Sequence, residues 1–160
     1  CWGIDYSYQM LKRANEYWVK NKIIELDWRE RGFPVLKLKG KKCQNLQFGL
    51  SKAESLPFEA ASIDCVVSFF LFDRLAAPTK MLAEVWRVLK SGGKLLLITP
   101  FNFQSIKNWN LFYPISKLEK VLLQAGYEIK NIKEQTVKEP LDTRGNFIIW
   151  QCWMIDLRKM

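Results

Sequence analysis

The spacing of apolar residues changes period several times along the chain, and each change marks an element. Residues 2–5 read as the end of a strand, and Ser7 as the cap of a helix running to about residue 20. Met10, Leu11, Ala14 and Trp18 recur at helical spacing and give that helix one apolar face. Residues 22–44 hold no long period. Gly32-Phe33-Pro34 and Gly40-Lys41 are turn signals there, so the stretch is expected to be irregular or hairpin-like. A short strand follows at 46–49, then a polar loop through Leu56-Pro57-Phe58. Residues 64–70 and 94–99 are continuous apolar runs, the pattern of parallel strands covered on both faces. Between them Met81, Leu82, Val85, Trp86 and Leu89 mark a helix over about 79–89, ended by Ser91-Gly92-Gly93. Ile115, Leu118, Leu122 and Ala125 mark another, which stops at Gly126. Two last strands, about 127–137 and 146–157, are joined by a segment too short for a helical crossover, so that pair is predicted antiparallel. The fold class is α/β, an open sheet with an antiparallel hairpin at one edge, in one domain over residues 1–160.

Composition supports a folded core. Hydrophobic residues make up 49% of the 160 and charged ones 26%, which excludes a disordered chain. No apolar run is long enough to span a bilayer and no signal peptide is visible, so no membrane partner is expected. The chain starts at Cys1 without an initiator Met, and is expected to be a fragment of something longer. Histidine is absent, which removes Ser/His and Cys/His nucleophiles and every His-containing zinc site. Cys1, Cys43, Cys65 and Cys152 form no Cys-x-x-Cys pair, and no metal site is expected. Cys65 and Cys152 lie in apolar runs and are expected to be buried, reduced thiols, which fits a cytoplasmic location.

Basic residues exceed acidic ones by 25 to 16, a net charge of +9 that permits nucleic-acid binding. The densest cluster is Lys37, Lys39, Lys41 and Lys42. Leu36 and Leu38 alternate with the first two, so the stretch reads as a strand with one buried face and lysines on the other. Interleaved stacking aromatics, which a nucleic-acid footprint uses, are missing from this cluster.

In an α/β sheet, ligands bind beyond the carboxyl ends of the strands. Asp5 closes the first strand directly before a helix, where a carboxylate either caps the helix or accepts bonds from the two hydroxyls of a ribose. A second place is the segment 51–58 leaving the next strand. The third is 68–75 after the central strand, where Asp73 and Arg74 are expected to form a surface ion pair.

Taken jointly these segments resemble a known family. Gly3-Ile4-Asp5-Tyr6-Ser7 with Met10, Leu11 and Ala14 is similar to the second motif of class I S-adenosylmethionine (SAM)-dependent methyltransferases, type 11-like. Ala53-Glu54-Ser55-Leu56-Pro57-Phe58, followed by Ser62-Ile63-Asp64-Cys65-Val66-Val67-Ser68, resembles that family's adenine loop and fourth strand. Ala83-Glu84-Val85-Trp86-Arg87-Val88-Leu89-Lys90-Ser91-Gly92-Gly93 is similar to its helix and glycine turn before the fifth strand. A second resemblance, to the methyltransferase domain of ovothiol-forming enzymes, rests on Phe72-Asp73-Arg74-Leu75 with Pro78, on Thr99-Pro100-Phe101 and on Thr143-Arg144-Gly145-Asn146-Phe147.

The resemblance implies a Rossmann-like sheet with SAM as cofactor. It lacks the family's first strand and glycine-rich loop, which would precede Cys1. The expected strand order, named by first residues, is Leu46, Trp2, an unfilled position, Asp64, Lys94, Asn146, Tyr127. Asp5 would hold the ribose, Tyr6 and Met10 would flank the adenine, and Ala53 and Glu54 would line its edge. Ser68 and Phe69 would pass the amino acid and sulfonium, while Phe72, Asp73 and Arg74 would face the acceptor. Two positions depart from the family. Lys52 stands where an acid usually precedes the alanine of the adenine loop, and Ser91 replaces the usual proline of the turn. The implied reaction is SAM-dependent methyl transfer to a small-molecule acceptor, without a dedicated base and with no residue named as catalyst. The alternatives are an RNA methyltransferase or basic nucleic-acid-binding module, and a methyltransferase-like scaffold without catalysis. Residues 1–160 are expected to be inactive alone.

Overall fold

A computed structural model describes all residues from Cys1 to Met160. The chain forms two compact units, one of Cys1–Ala53 with Lys138–Ile148, the other of Glu54–Val137 with Ile149–Met160.

In the first unit, β1 (Trp2–Asp5) pairs parallel with β4 (Gln47–Leu50), with Asp5 opposite Leu50. Helix α1 (Tyr8–Trp18) leaves β1 through the expected cap: the Ser7 Oγ accepts from the Met10 N–H, satisfying one orphan amide of the first turn. Of its anticipated apolar face only Leu11 is buried. Met10 is 60% exposed and Trp18 37%. The stretch expected to be irregular or hairpin-like is a short antiparallel ribbon, β2 (Ile24–Leu26) against β3 (Leu36–Leu38). Its base is held to α1 by Lys41 and Cys43, whose N–H groups donate to the carbonyls of Tyr17 and Trp18. Gly40 is required at this seam, because a Cβ would lie 2.5 Å from the Lys22 carbonyl oxygen. The ribbon does not bury a face as expected: Leu38 is exposed.

β5 (Ile63–Phe69), β6 (Leu89–Thr99), β8 (Phe147–Lys159) and β7 (Tyr127–Pro140) form one sheet in that spatial order, in the second unit except for the hairpin end of β7 and β8 within residues 138–148. β5 and β6 are parallel, and β8 enters antiparallel to β6, with Leu97 opposite Ile155. The order within each sheet is the expected one, and β1 and β5 belong to separate sheets. The core consists of Met81, Leu82, Val85 and Val88 of α2 (Pro78–Val88), Leu118 and Leu122 of α4 (Ile115–Gln124), and the strand residues Leu95, Leu97, Ile155 and Leu157. The Tyr127 hydroxyl, buried among them, donates to the Leu82 carbonyl at 2.7 Å, and burial raises its pKa far above the ordinary phenol value.

Three expectations change here. The glycine turn does not precede the strand but interrupts it: Ile63 pairs with Leu89 and Cys65 with Lys94, so Lys90–Gly93 bulges out. Gly92 supplies the positive φ, and a Cβ on Gly93 would press on the Lys90 carbonyl. A further short helix, α3 (Ile106–Phe112), capped by Ser105, lies in a stretch where the pattern predicts none. And β5, a continuous apolar run, is covered on one face only. Val66 and Ser68 share the face of Leu95 and Leu97 that looks into the core, whereas Cys65, Val67 and Phe69 are exposed. Cys65 is therefore not the buried thiol expected. Cys152 is, with its pKa raised by burial and by the charge of Asp73.

The inward turn of Ser68 has a measurable consequence. Its hydroxyl is buried with no hydrogen-bond partner. A buried orphan hydroxyl costs free energy that a methyl does not, so Ser68→Ala should be neutral or stabilising by about 1 kcal/mol. Urea unfolding checks this, and a loss of stability of similar size would show that the hydroxyl has a partner.

Candidate functional site

In the first unit the site residues gather at the carboxyl ends of β1 and β4. Asp5 is the last residue of β1; its carbonyl accepts from the Ser51 N–H and its Oδ1 accepts from the Ser7 N–H at 2.7 Å. That turn fixes the carboxylate at the entry to α1 and leaves Oδ2 without a protein donor. Tyr6 and Met10 stand beside it with exposed apolar surface. The Lys52 ammonium sits 5.7 Å from the centre of the Tyr6 ring, so the residue that departs from the family pattern rests on an aromatic face. Ala53 lies in the turn that follows β4. Asp5, Tyr6, Met10 and Ala53 thus lie on the segments that leave the paired strands β1 and β4.

Glu54, Ser68, Phe69, Phe72, Asp73 and Arg74 belong to the second unit. Glu54 is half-buried and Phe69 presents an exposed ring at the end of β5, while the Ser68 side chain points into the core. The loop after Glu54 is held by α2. The Leu56 N–H donates to Glu84 Oε1 at 2.7 Å, the Leu56 carbonyl accepts from Arg87 Nη2 at 3.3 Å, and Arg87 forks onto Glu84. The Glu and Arg three residues apart in the helix motif are therefore the clamp on the adenine-loop motif. Arg87 holds the Glu84 carboxyl below its usual value. Glu84→Ala should cost about 2 kcal/mol by leaving the Leu56 amide and the guanidinium unpaired. Because the folded-state pKa is depressed, the Glu84 contribution is complete above the free value of 4.5 and is lost as pH falls through the folded value. Unfolding midpoints of wild type and Glu84→Ala should therefore converge in acid; a constant gap across that range would assign the loss to packing instead.

Phe72, Asp73 and Arg74 follow β5 in a short 3-10 turn. Phe72 is fully buried against Phe103 and Phe112, with ring centres 6.1 and 5.0 Å away. Asp73 and Arg74 do form an ion pair, but not at the surface, because the Asp73 side chain is 0% exposed. Oδ1 accepts from the Thr99 hydroxyl at 3.0 Å and Oδ2 from the Asn102 N–H at 3.1 Å, while Arg74 approaches only to 3.8 Å. The carboxylate is engaged by the protein, and Arg74 is the exposed member of the three. Asn102, Phe101 and Phe103 complete this cluster, and the sequence reading did not single out Asn102 or Phe103. Thr99-Pro100-Phe101 after β6 was the available signal, since the Thr99 hydroxyl also accepts from the Phe101 N–H, and Phe101 adopts a positive φ of 57°.

A family profile described as "Methyltransferase domain" matches residues 1–97. A protein of Wigglesworthia glossinidia brevipalpis named "Ubiquinone/menaquinone biosynthesis C-methyltransferase UbiE" is 27% identical over 153 residues, covering 91% of this chain and 60% of its own length. "Demethylmenaquinone methyltransferase" of Deinococcus radiodurans is 33% identical over 95 residues, 59% of this chain and 38% of that protein. The chain thus spans about three fifths or less of these curated relatives. Among solved structures, a SAM-dependent methyltransferase from Methanosarcina mazei superposes with a TM-score of 0.61 at 19% identity, covering 99% of this chain and 81% of the other.

Proposed function

Since the chain belongs to the class I SAM-dependent methyltransferases, we propose that it forms the adenosine-binding and acceptor-side part of an enzyme that methylates a small molecule. The observation that carries this reading is Asp5: a strand-end carboxylate with one oxygen fixed by Ser7 and the other open, between the exposed faces of Tyr6 and Met10. An open carboxylate oxygen suits two vicinal hydroxyls, and exposed apolar side chains on either hand suit a purine ring. These residues fit the nucleoside half of SAM.

Bound SAM supplies an already electrophilic methyl group, so the protein's task is alignment and exclusion of water. Asp5 would accept from the ribose hydroxyls, Tyr6 and Met10 would flank the ring, and the backbone at Ala53 would line its edge. In the second unit, Phe69 presents the exposed ring that the family resemblance assigns to the sulfonium. Ser68 would act through its backbone, since its hydroxyl faces the core. Of the acceptor-side candidates Phe72 and Asp73 are buried and tie the turn after β5 to Phe103, Phe112, Thr99 and Asn102, and Arg74 is the one able to meet an acceptor directly. The names of the similar proteins favour a quinone precursor as acceptor, one of them naming methylation at carbon; the ring proton that the methyl group replaces would pass to water, since no residue is assigned as base.

The test is transfer of label from methyl-labelled SAM by the full-length protein to three acceptors: a demethylmenaquinone, a small polar thiol and transfer RNA. Transfer to the quinone supports the reading in full, and transfer to the thiol moves the acceptor to the class implied by the ovothiol-like segments. Labelled RNA would replace the reading with the nucleic-acid alternative, and no transfer to any acceptor with intact SAM binding would favour the scaffold.

A further inference from the structure

Between residues 20 and 44 the chain carries eight basic residues and three acids, an excess of five positive charges in one small ribbon. None of the eight large apolar side chains of this stretch is buried. Ile23 is 65% exposed and Leu38 41%, and Trp28 is also exposed. Three of the bases are matched, Lys22 by Glu16, Arg29 by Asp27 and Lys37 by Glu25. Lys20, Lys39, Lys41 and Lys42 are exposed and make no ion pair. The β2–β3 ribbon is anchored at its base by the Lys41 and Cys43 bonds to α1, so these groups are displayed on a fixed support.

A surface that combines bare aliphatic side chains with unpaired lysines suits one solvent boundary above others. We propose that the β2–β3 ribbon is a peripheral docking surface for an anionic lipid bilayer: Ile23, Leu38 and Trp28 enter the headgroup region, and Lys20, Lys39, Lys41 and Lys42 meet lipid phosphates. Lysine stems lie along apolar surface while their ammonium groups reach the phosphates, and tryptophan favours the interface. A second copy of this chain is disfavoured because two ribbons with the same charge excess repel. Nucleic acid is disfavoured because the most exposed apolar groups, Ile23 and Leu38, are aliphatic and cannot stack on bases, and the two exposed tryptophans each already face a neighbour. Trp28 packs edge-on to Phe33 at 5.9 Å, and the Lys41 ammonium lies 5.6 Å from the centre of Trp18. The absence of a spanning segment, which led the sequence reading to expect no membrane partner, does not bear on a surface contact. The proposal is independent of the methyl acceptor.

The experiment is co-sedimentation of the 160-residue chain with phosphatidylcholine vesicles with and without about one third phosphatidylglycerol, at low and high salt. Binding is expected to the anionic vesicles only and to fall with salt. Each near-surface lysine contributes about fivefold, so Lys39→Glu, Lys41→Glu and Lys42→Glu together should weaken partition by at least about 100-fold. Ile23→Ser with Leu38→Ser should weaken it about tenfold with the charges intact. These positions are exposed, and matched far-ultraviolet circular dichroism of the variants establishes that folding is retained. No binding to anionic vesicles at low salt overturns the proposal. So does a partition insensitive to the two serines together with tight, salt-dependent binding of a single-stranded RNA oligonucleotide, which would assign the lysines to nucleic acid. Self-association abolished by the same two serines, without vesicle binding, would assign the ribbon to a second copy and equally defeat it.

Discussion

Replacing Asp73 with alanine should destabilise the protein by about 3–4 kcal/mol, a large part of the stability of an ordinary domain. The side chain is wholly buried, and its two oxygens receive the Thr99 hydroxyl and the Asn102 amide from the segment after β6. Alanine removes the acceptor and leaves both donors without a partner, and each such loss costs about 1–3 kcal/mol. Burying the carboxylate carries its own desolvation cost, so the net worth of the arrangement is smaller than the cost of breaking it. Asp73→Asn keeps the shape and one acceptor and should cost about half as much. Thr99→Val removes the bond to Asp73 and also the one its hydroxyl accepts from the Phe101 N–H, and a double-mutant cycle with Asp73→Ala isolates the first, with an expected coupling of about 1–2 kcal/mol. Equilibrium unfolding in urea measures the wild type and the four variants. Additive losses would mean that the two residues act separately and that the carboxylate does not tie the two segments together.

In the full-length protein, Asp5→Ala should weaken SAM binding by about 2–4 kcal/mol, roughly 30- to 1000-fold in dissociation constant. The loss is that of one or two hydrogen bonds to a charged acceptor. Folding should be little affected, because the carboxylate is exposed and the helix it precedes keeps its own Ser7 cap. Asp5→Asn retains the turn to the Ser7 amide but weakens the acceptor, and should fall between. Calorimetric titration with SAM decides this, with S-adenosylhomocysteine as a control that shares the ribose and lacks the methyl. If Asp5→Ala binds both as wild type does, the nucleoside is held elsewhere, and the placement of the cofactor on these residues is wrong.

The contrast between these two carboxylates shows how far the sequence could be read. Asp5 is legible because everything that defines it is local: a strand, a capped helix and the two residues between them. The same holds for α1, whose Ser7 cap lies where expected, and for α4, ended by Gly126. Asp73 was misplaced at the surface because its partners are 26 and 29 residues further on, where no periodicity points back to it. The helix α3 escaped for a related reason. Lys107, Asn108, Trp109 and Asn110 interrupt any apolar stripe, and the helix is held by specific bonds, Asn108 to the Leu75 carbonyl and Trp109 to the Phe103 carbonyl. Its Ser105 cap was the readable trace. The single-sided covering of β5 could not be seen either, because an apolar run has the same sequence whether one face or two is packed.

The position of β8 governs when the second unit can exist during synthesis. The strand made last in this sheet lies inside it, between β6 and β7. While the ribosome is still adding residues 147–159, β7 has been made without its neighbour and the inner edge of β6 stays open to water and to other chains. Elongation by the ribosome, at about 5–20 residues per second, therefore leaves a window of seconds in which two strand edges need protection. Completion then requires a hairpin, which is fast, followed by insertion against a strand about sixty residues upstream, which is slower. Nascent chains stalled short of residue 147 should accordingly be captured by holdase chaperones, and release of the finished strand should end that capture.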